Sequence, residues 1–318
     1  MARPIAVEEK RERNIEQITW NGLIWVNIER PTNTEITYLA REYHFHPLDL
    51  DDCLSRRQRP KMDEYEDYLF IVLHFPVFNK EAGVTVPSQV SIFIGKNYLV
   101  TVHQGALKPL VKLFKDCQLD EEARQKNMRS SGYLLYHLID ILVDYCFPIA
   151  DKIMENLEKV EDDLFDPTTP DPIEALAGLR RDIISYRRIF WPMRTLISSL
   201  GPKTKRFTKE DLEVYWGDVT DHAEKIWDTL DECKETIEGL NDTGSILASH
   251  HLNVVIRIFT VVAVVLLIPT IIVGAYGMNI GLPGGYDEDS LITFSIIMVV
   301  MIGIIGFVLY LFRRRRWI

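Results

Sequence analysis

The sequence predicts an α+β domain with a long helical stalk and two C-terminal transmembrane helices. Three features carry that prediction. Two apolar runs, Ile258 to Tyr276 and Leu291 to Phe312, contain no charged residue. Ahead of the first run, apolar residues recur on steps of three and four with no proline between Pro202 and Pro269. Before residue 130, short strand-like and helix-like segments alternate across turn residues.

Ile18-Thr19-Trp20 and Leu23-Ile24-Trp25-Val26 flank Asn21-Gly22 and read as a hairpin over a two-residue turn. Further strands are expected at Tyr68 to Phe78 and at Ser88 to His103. Leu134 to Leu164 and Ile173 to Leu200 then show helical periodicity on either side of Asp166-Pro167-Thr168-Thr169-Pro170, which reads as a helical hairpin.

Trp216, Val219, Ala223, Ile226, Leu230, Cys233, Ile237, Leu240, Gly244 and Leu247 form a heptad seam. It runs on into the first apolar run, so a single helix of roughly 65 residues is expected, about 100 Å long at about 1.5 Å per residue. Gly217, Gly239 and Gly244 oppose it by about 1 kcal/mol each. The expected organisation is 1–130 α/β domain, 131–202 helical hairpin, 203–276 stalk helix continuing into the first span, 277–290 extracytoplasmic loop, 291–312 second span and 313–318 basic tail.

Each apolar run is long enough to cross a hydrocarbon core of about 30 Å. Buried core helices are usually shorter and keep a polar stripe, which these runs lack. Met1 to Trp20 is polar, with no apolar core of a signal peptide, so the N-terminal region is expected in the cytosol. Arg313-Arg314-Arg315-Arg316 follows the second run, and the positive-inside rule places that end in the cytoplasm too, with Trp317 at the interface. The expectation is a multi-pass protein of the cytoplasmic (inner) membrane with both termini inside.

The net charge of −10 disfavours nucleic acid as a partner and favours cations. Cys53, Cys117, Cys146 and Cys233 have no zinc-ligand spacing and read as small core residues. His44 and His46 fit one face of a strand, and a structural role is the plainer reading of the pair. His250 and His251, adjacent on a helix, point apart and do not share an ion. There is no phosphate-binding loop, catalytic signature or resident cofactor motif, so no enzyme activity is expected.

The first span closes on Tyr276-Gly277-Met278-Asn279, and a basic run ending in Trp-Ile follows the second. With Arg59-Pro60-Lys61, Glu64-Tyr65-Glu66-Asp67-Tyr68-Leu69, Gln89-Val90-Ser91, Gly95-Lys96-Asn97, Leu138-Ile139-Asp140 and Trp191-Pro192, the chain resembles the CorA family of magnesium and cobalt channels along nearly its whole length. The resemblance implies a homopentameric funnel whose first spans line a pore. It also implies Mg²⁺ as both transported and regulatory ion, with Co²⁺ and Ni²⁺ as further cargo.

Gly277, Met278 and Asn279 are then the selectivity filter. Asn279 supplies an amide oxygen for metal-bound water, and Gly277 frees the helix end of a side chain, although a Gly/Asn helix cap is the ordinary reading of such residues. Asn253, Ile256, Thr260, Ala263, Leu267, Thr270 and Gly274 form the implied pore stripe, with Ile256 and Leu267 as a dewetting constriction. Asp218 aligns with an intersubunit regulatory metal site, with Asp221 one helical step away and Asn79 as partner.

Ile280-Gly281-Leu282-Pro283-Gly284-Gly285 looks more like the zinc-transporting ZntB branch, and Asp287, Glu288 and Asp289 would concentrate cations at the outer mouth. A proton-coupled Zn²⁺ transporter, and a membrane-tethered sensor or enzyme, are the alternatives to the Mg²⁺ channel.

Overall fold

The computed structural model describes residues 14–55, 58–166, 172–278, 291–315 and 317. It divides into two compact units, Met1–Leu240 and Asn241–Ile318.

In the first unit β1 (Ile15–Trp20) and β2 (Leu23–Glu29) form the expected hairpin. Asn21 and Gly22 take φ of 49° and 82°, the left-handed pair that matches the twist of the flanking strands. α1 (Asn33–Tyr43) opens on a capping box in which the Glu35 carboxylate accepts from the Thr32 backbone N–H at 2.8 Å. α2 (Pro47–Leu54), β3 (Lys61–Glu64), β4 (Tyr68–Asn79), β5 (Val84–Gly95) and β6 (Tyr98–His103) follow.

The six strands lie in the order β1-β2-β6-β5-β4-β3, antiparallel except where β2 runs parallel to β6. Both faces are covered. Leu69, Ile71 and Leu73 of β4 enter the larger core, while Tyr68, Phe70 and Val72 face α1 and α2, as period-two alternation requires. α3 (Lys108–Leu119), α4 (Glu121–Asn127), α5 (Ser131–Asp144), α6 (Phe147–Phe165), α7 (Pro172–Thr204), a 3₁₀ turn (Lys205–Phe207), α8 (Glu213–Tyr276) and α9 (Leu291–Arg314) complete the chain.

Several expectations change. The run from Ser88 to His103 spans parts of two strands, broken by a turn at Lys96-Asn97. Leu134 to Leu164 is two helices, because Pro148 sits in the first turn of α6 and its ring would strike the Asp144 carbonyl if α5 continued. α7 runs through Gly201-Pro202, and the long helix opens at Glu213 rather than at 203. His44 and His46 are not on a strand: His44 is the left-handed cap of α1 at φ 53°, and His46 caps α2 through Nδ1, which accepts from the Leu48 N–H at 3.3 Å.

The seam is buried from Trp216 to Leu240, each residue at most 6% exposed, and Leu247 is 38% exposed. Gly217 and Gly239 face open space, so their cost is backbone propensity alone. All four cysteines are buried, and burial pushes the Cys233 thiol up to about 11 and Cys53 to about 12.

In the second unit α8 continues to Tyr276 and is accompanied by α9. The most apolar windows of α8 and α9 have mean hydropathies of 2.8 and 2.7 and are only 6% buried. A third apolar stretch, Ser131–Phe165, is 56% buried and belongs to the core of the first unit. Long helices whose apolar surface stays uncovered are what a bilayer accommodates and water does not.

Candidate ion path and metal cluster

Shielding in the second unit divides α8 into two faces. Val254, Arg257, Val261, Val264, Ile268 and Ile272 are buried or half-buried, recurring at helical spacing. Met301, Ile305, Val308 and Phe312 make the matching half-buried stripe of α9. Asn253, Ile256, Thr260, Ala263, Leu267, Thr270 and Gly274 all lie on the other, exposed side of α8, with Ile256 52% and Leu267 55% exposed. At about 100° per residue, the centres of the two stripes are separated by about a third of a turn.

Two hydroxyls on the exposed stripe are committed in one direction. Thr260 Oγ1 donates to the Ile256 carbonyl at 2.8 Å and Thr270 Oγ1 to the Leu266 carbonyl at 2.7 Å. With the proton turned back into the helix, each oxygen presents lone pairs outward, the acceptor that a cation's water shell needs.

The helix end is tight. The Gly277 N–H reaches the Val273 carbonyl at 2.8 Å, and a Cβ at Gly277 would stand 3.1 Å from that same oxygen. Gly277 has no positive φ, so the left-handed glycine cap does not describe this terminus; crowding by the carbonyl is what favours glycine. Met278 is 53% exposed. Asn279, Asp287, Glu288 and Asp289 lie outside the described residues.

In the first unit Asp218 and Asp221 are exposed on α8. Asp218 borders a cluster that the sequence did not reveal. Asp140 and Asp144 of α5 and His222 of α8 offer ligand atoms all within 4.8 Å of one another. His222 Nδ1 lies 3.1 Å from Asp144 Oδ1, and its Nε2 lies 3.9 Å from Asp218 Oδ1. His137 Nδ1 stands 3.7 Å from Asp140. Two carboxylates with an imidazole suit a borderline cation such as Co²⁺, Ni²⁺ or Zn²⁺ better than Mg²⁺, which prefers oxygen ligands only.

Asn79 is engaged elsewhere: its Oδ1 accepts from the Glu81 and Ala82 N–H groups at 2.9 and 3.1 Å, closing the turn after β4. Asp221 instead lines a cavity of about 490 Å³ with Gly217, Thr220 and Trp216.

The profile of the CorA-like Mg²⁺ transporter protein family matches residues 20–314. The chain belongs to the CorA family. Among its CorA relatives is the putative metal ion transporter YfjQ of Bacillus subtilis, 30% identical over 80% of this chain and 78% of that one. The cobalt/magnesium transport protein CorA of Thermotoga maritima is 29% identical over 80% and 72%. The complete structure of the CorA magnesium transporter from Methanocaldococcus jannaschii superposes with a TM-score of 0.80 at 25% identity, covering 95% of this chain and 94% of that one. The zinc transport protein ZntB of Pectobacterium carotovorum subsp. carotovorum is more distant, 23% identical over 82% and 77%. CorA proteins are divalent metal ion transporters of membranes rather than enzymes, which leaves the tethered-enzyme alternative without support.

Proposed function

We propose that this chain is one subunit of a homo-oligomeric channel, a pentamer by its likeness to CorA, that carries Mg²⁺ and also Co²⁺ or Ni²⁺ across the cytoplasmic membrane. The observation that supports it best is the exposed stripe from Asn253 to Gly274, on the side of α8 away from its shielded face and leading to Gly277-Met278. In a ring, that side is free to face the symmetry axis. Both termini lie on the cytoplasmic side in this reading, with the basic run after α9 following the positive-inside rule.

The cation enters hydrated, because magnesium gives up its six waters reluctantly. Rings of Asn279 and Asn253 amides and Thr260 and Thr270 hydroxyl oxygens accept from those waters, while Asp287, Glu288 and Asp289 raise the local cation concentration. Ile256 and Leu267 form apolar collars that dewet when the helices close in. Flux follows the membrane potential, about 4.6 kcal/mol per 100 mV for a divalent ion.

Cytosolic metal holds the pore shut through Asp218, with Asp221 adjacent and with the group of Asp140, Asp144 and His222 across the imidazole from it. Asn79 contributes little to such a site, because its amide oxygen already closes a turn.

The second reading is a proton-coupled Zn²⁺ transporter of the ZntB type, favoured by the imidazole in the cluster and by the Gly281 to Gly285 segment. Uptake of Mg²⁺, Co²⁺, Ni²⁺ and Zn²⁺ into proteoliposomes separates the two. The channel reading expects Mg²⁺ uptake that Asn279→Ala abolishes; Zn²⁺ uptake that requires a proton gradient assigns the protein to the second reading.

A further inference from the structure

The three described arginines that follow the apolar run of α9, Arg313, Arg314 and Arg315, are exposed and have no ion-pair partner among the described residues. Some arginines of the first unit are paired, Arg187 with Asp231 at 2.5 Å and Arg194 with Glu224 at 3.1 Å, so it is the position of Arg313, Arg314 and Arg315 directly after an apolar helix that sets them apart. A second feature fixes the level of the free guanidinium groups. The Trp317 N–H donates back to the Phe312 carbonyl at 3.0 Å, and the two rings stack with centroids 5.6 Å apart and an interplanar angle of 30°.

An indole folded beside the last apolar turn marks the boundary between hydrocarbon and headgroup. The arginines follow Phe312 within about one helical turn, about 5.4 Å, and so stand at phosphate depth. Guanidinium groups bind phosphodiester oxygens bidentately, and a lipid with no compensating cation in its headgroup is the complementary partner.

We propose that Arg313, Arg314 and Arg315, with Trp317 as depth anchor, form a binding surface for anionic phospholipid headgroups of the phosphatidylglycerol type. Each basic residue at a membrane surface favours an anionic lipid by roughly fivefold, so three together give a preference on the order of 100-fold over phosphatidylcholine.

Trp317 reports its own surroundings, since the other five of the six tryptophans lie in Met1–Leu240 and a Trp317→Phe variant subtracts their signal. The full chain is reconstituted in vesicles containing brominated phosphatidylglycerol or brominated phosphatidylcholine, and quenching is followed against lipid mole fraction. Wild type is expected to reach half-quenching at a mole fraction of brominated phosphatidylglycerol at least tenfold lower than for phosphatidylcholine. R313Q/R314Q/R315Q should bring the curves together, and R313K/R314K/R315K should keep most of the separation.

Coincident wild-type curves, or a preference that survives the glutamine variant, overturn the proposal. Loss of the preference on adding inorganic phosphate at constant ionic strength assigns the arginines to a soluble anion and overturns it as well. If the glutamine variant fails to assemble, raising the salt decides the matter: the wild-type preference must shrink several-fold as the charges are screened, and a salt-independent preference refutes an ionic headgroup site.

Discussion

Nδ1 of His222 on α8 stands 3.1 Å from Oδ1 of Asp144 at the end of α5, joining two helices 78 residues apart in sequence. Asp140 belongs to the same group, while Asp218 stands 3.9 Å from the opposite ring nitrogen, Nε2. A metal ion held there would tie α8 to α5, which is the coupling that the proposed control by metal requires.

His222→Ala is expected to weaken Co²⁺ binding by about tenfold or more, the size of effect typical even of outer-shell partners. Co²⁺ titration of the purified full chain, followed by thermal stabilisation, checks this. Unchanged Co²⁺ stabilisation in the variant would exclude the imidazole as a ligand.

A second prediction concerns acid. His103 is buried; its Nδ1 accepts from the Gly105 N–H at 2.9 Å and its Nε2 faces Asn27 Oδ1 at 3.0 Å, an arrangement that suits the neutral ring. Burial lowers its pKa to about 4. The unfolded chain therefore binds the extra proton first, and the stability held above the ordinary histidine value of about 6.5 is lost as pH falls from there towards about 4, by up to about 3 kcal/mol. Chemical denaturation of wild type and His103→Gln at pH 7 and pH 5 checks this, with the variant expected to show the smaller loss.

Much of the fold was legible because its signals are local. Asn21-Gly22 fixes its hairpin through backbone conformation alone, and the seam from Trp216 to Leu240 is visible in its spacing. The break between α5 and α6 was hidden because apolar periodicity continues across it, and α7 passes through Gly201-Pro202 despite both residues being poor helix formers. His44 ends α1 in the left-handed region and His46 caps α2 ahead of Pro47; an alternating-strand reading missed Thr32 and Glu35, whose capping box opens the first of these helices. The partnership of Asp140 and Asp144 with His222 is tertiary, and in sequence only the i,i+4 spacings of Asp140 with Asp144 and of Asp218 with His222 hint at it.

The pore stripe makes a prediction about neighbouring residues. Leu267 is 55% exposed on the proposed pore side, whereas Ile268 is half-buried on the shielded side. Leu267→Asn should hydrate the constriction and raise Mg²⁺ leak several-fold at high internal Mg²⁺. Ile268→Asn should instead lower the thermal stability of the assembled protein without the leak. Proteoliposome flux together with thermal melts distinguishes them, and a leak from Ile268→Asn alone would reverse the assignment of faces.

The seam should respond as a packed core does. Leu230 is fully buried, and Leu230→Ala is expected to cost about 2–5 kcal/mol in unfolding free energy. Val214→Ala, at a site 84% exposed near the start of the same helix, should change stability by less than about 0.5 kcal/mol. Denaturant titration of both variants provides the comparison.

The most direct test of the channel is Mg²⁺ uptake into proteoliposomes under a potassium-diffusion potential, with no proton gradient. The account predicts uptake that rises as the interior is made more negative, stops at zero potential with equal Mg²⁺ on both sides, and disappears in Asn279→Ala. Mg²⁺ entry indifferent to potential, or undiminished in Asn279→Ala, would contradict it.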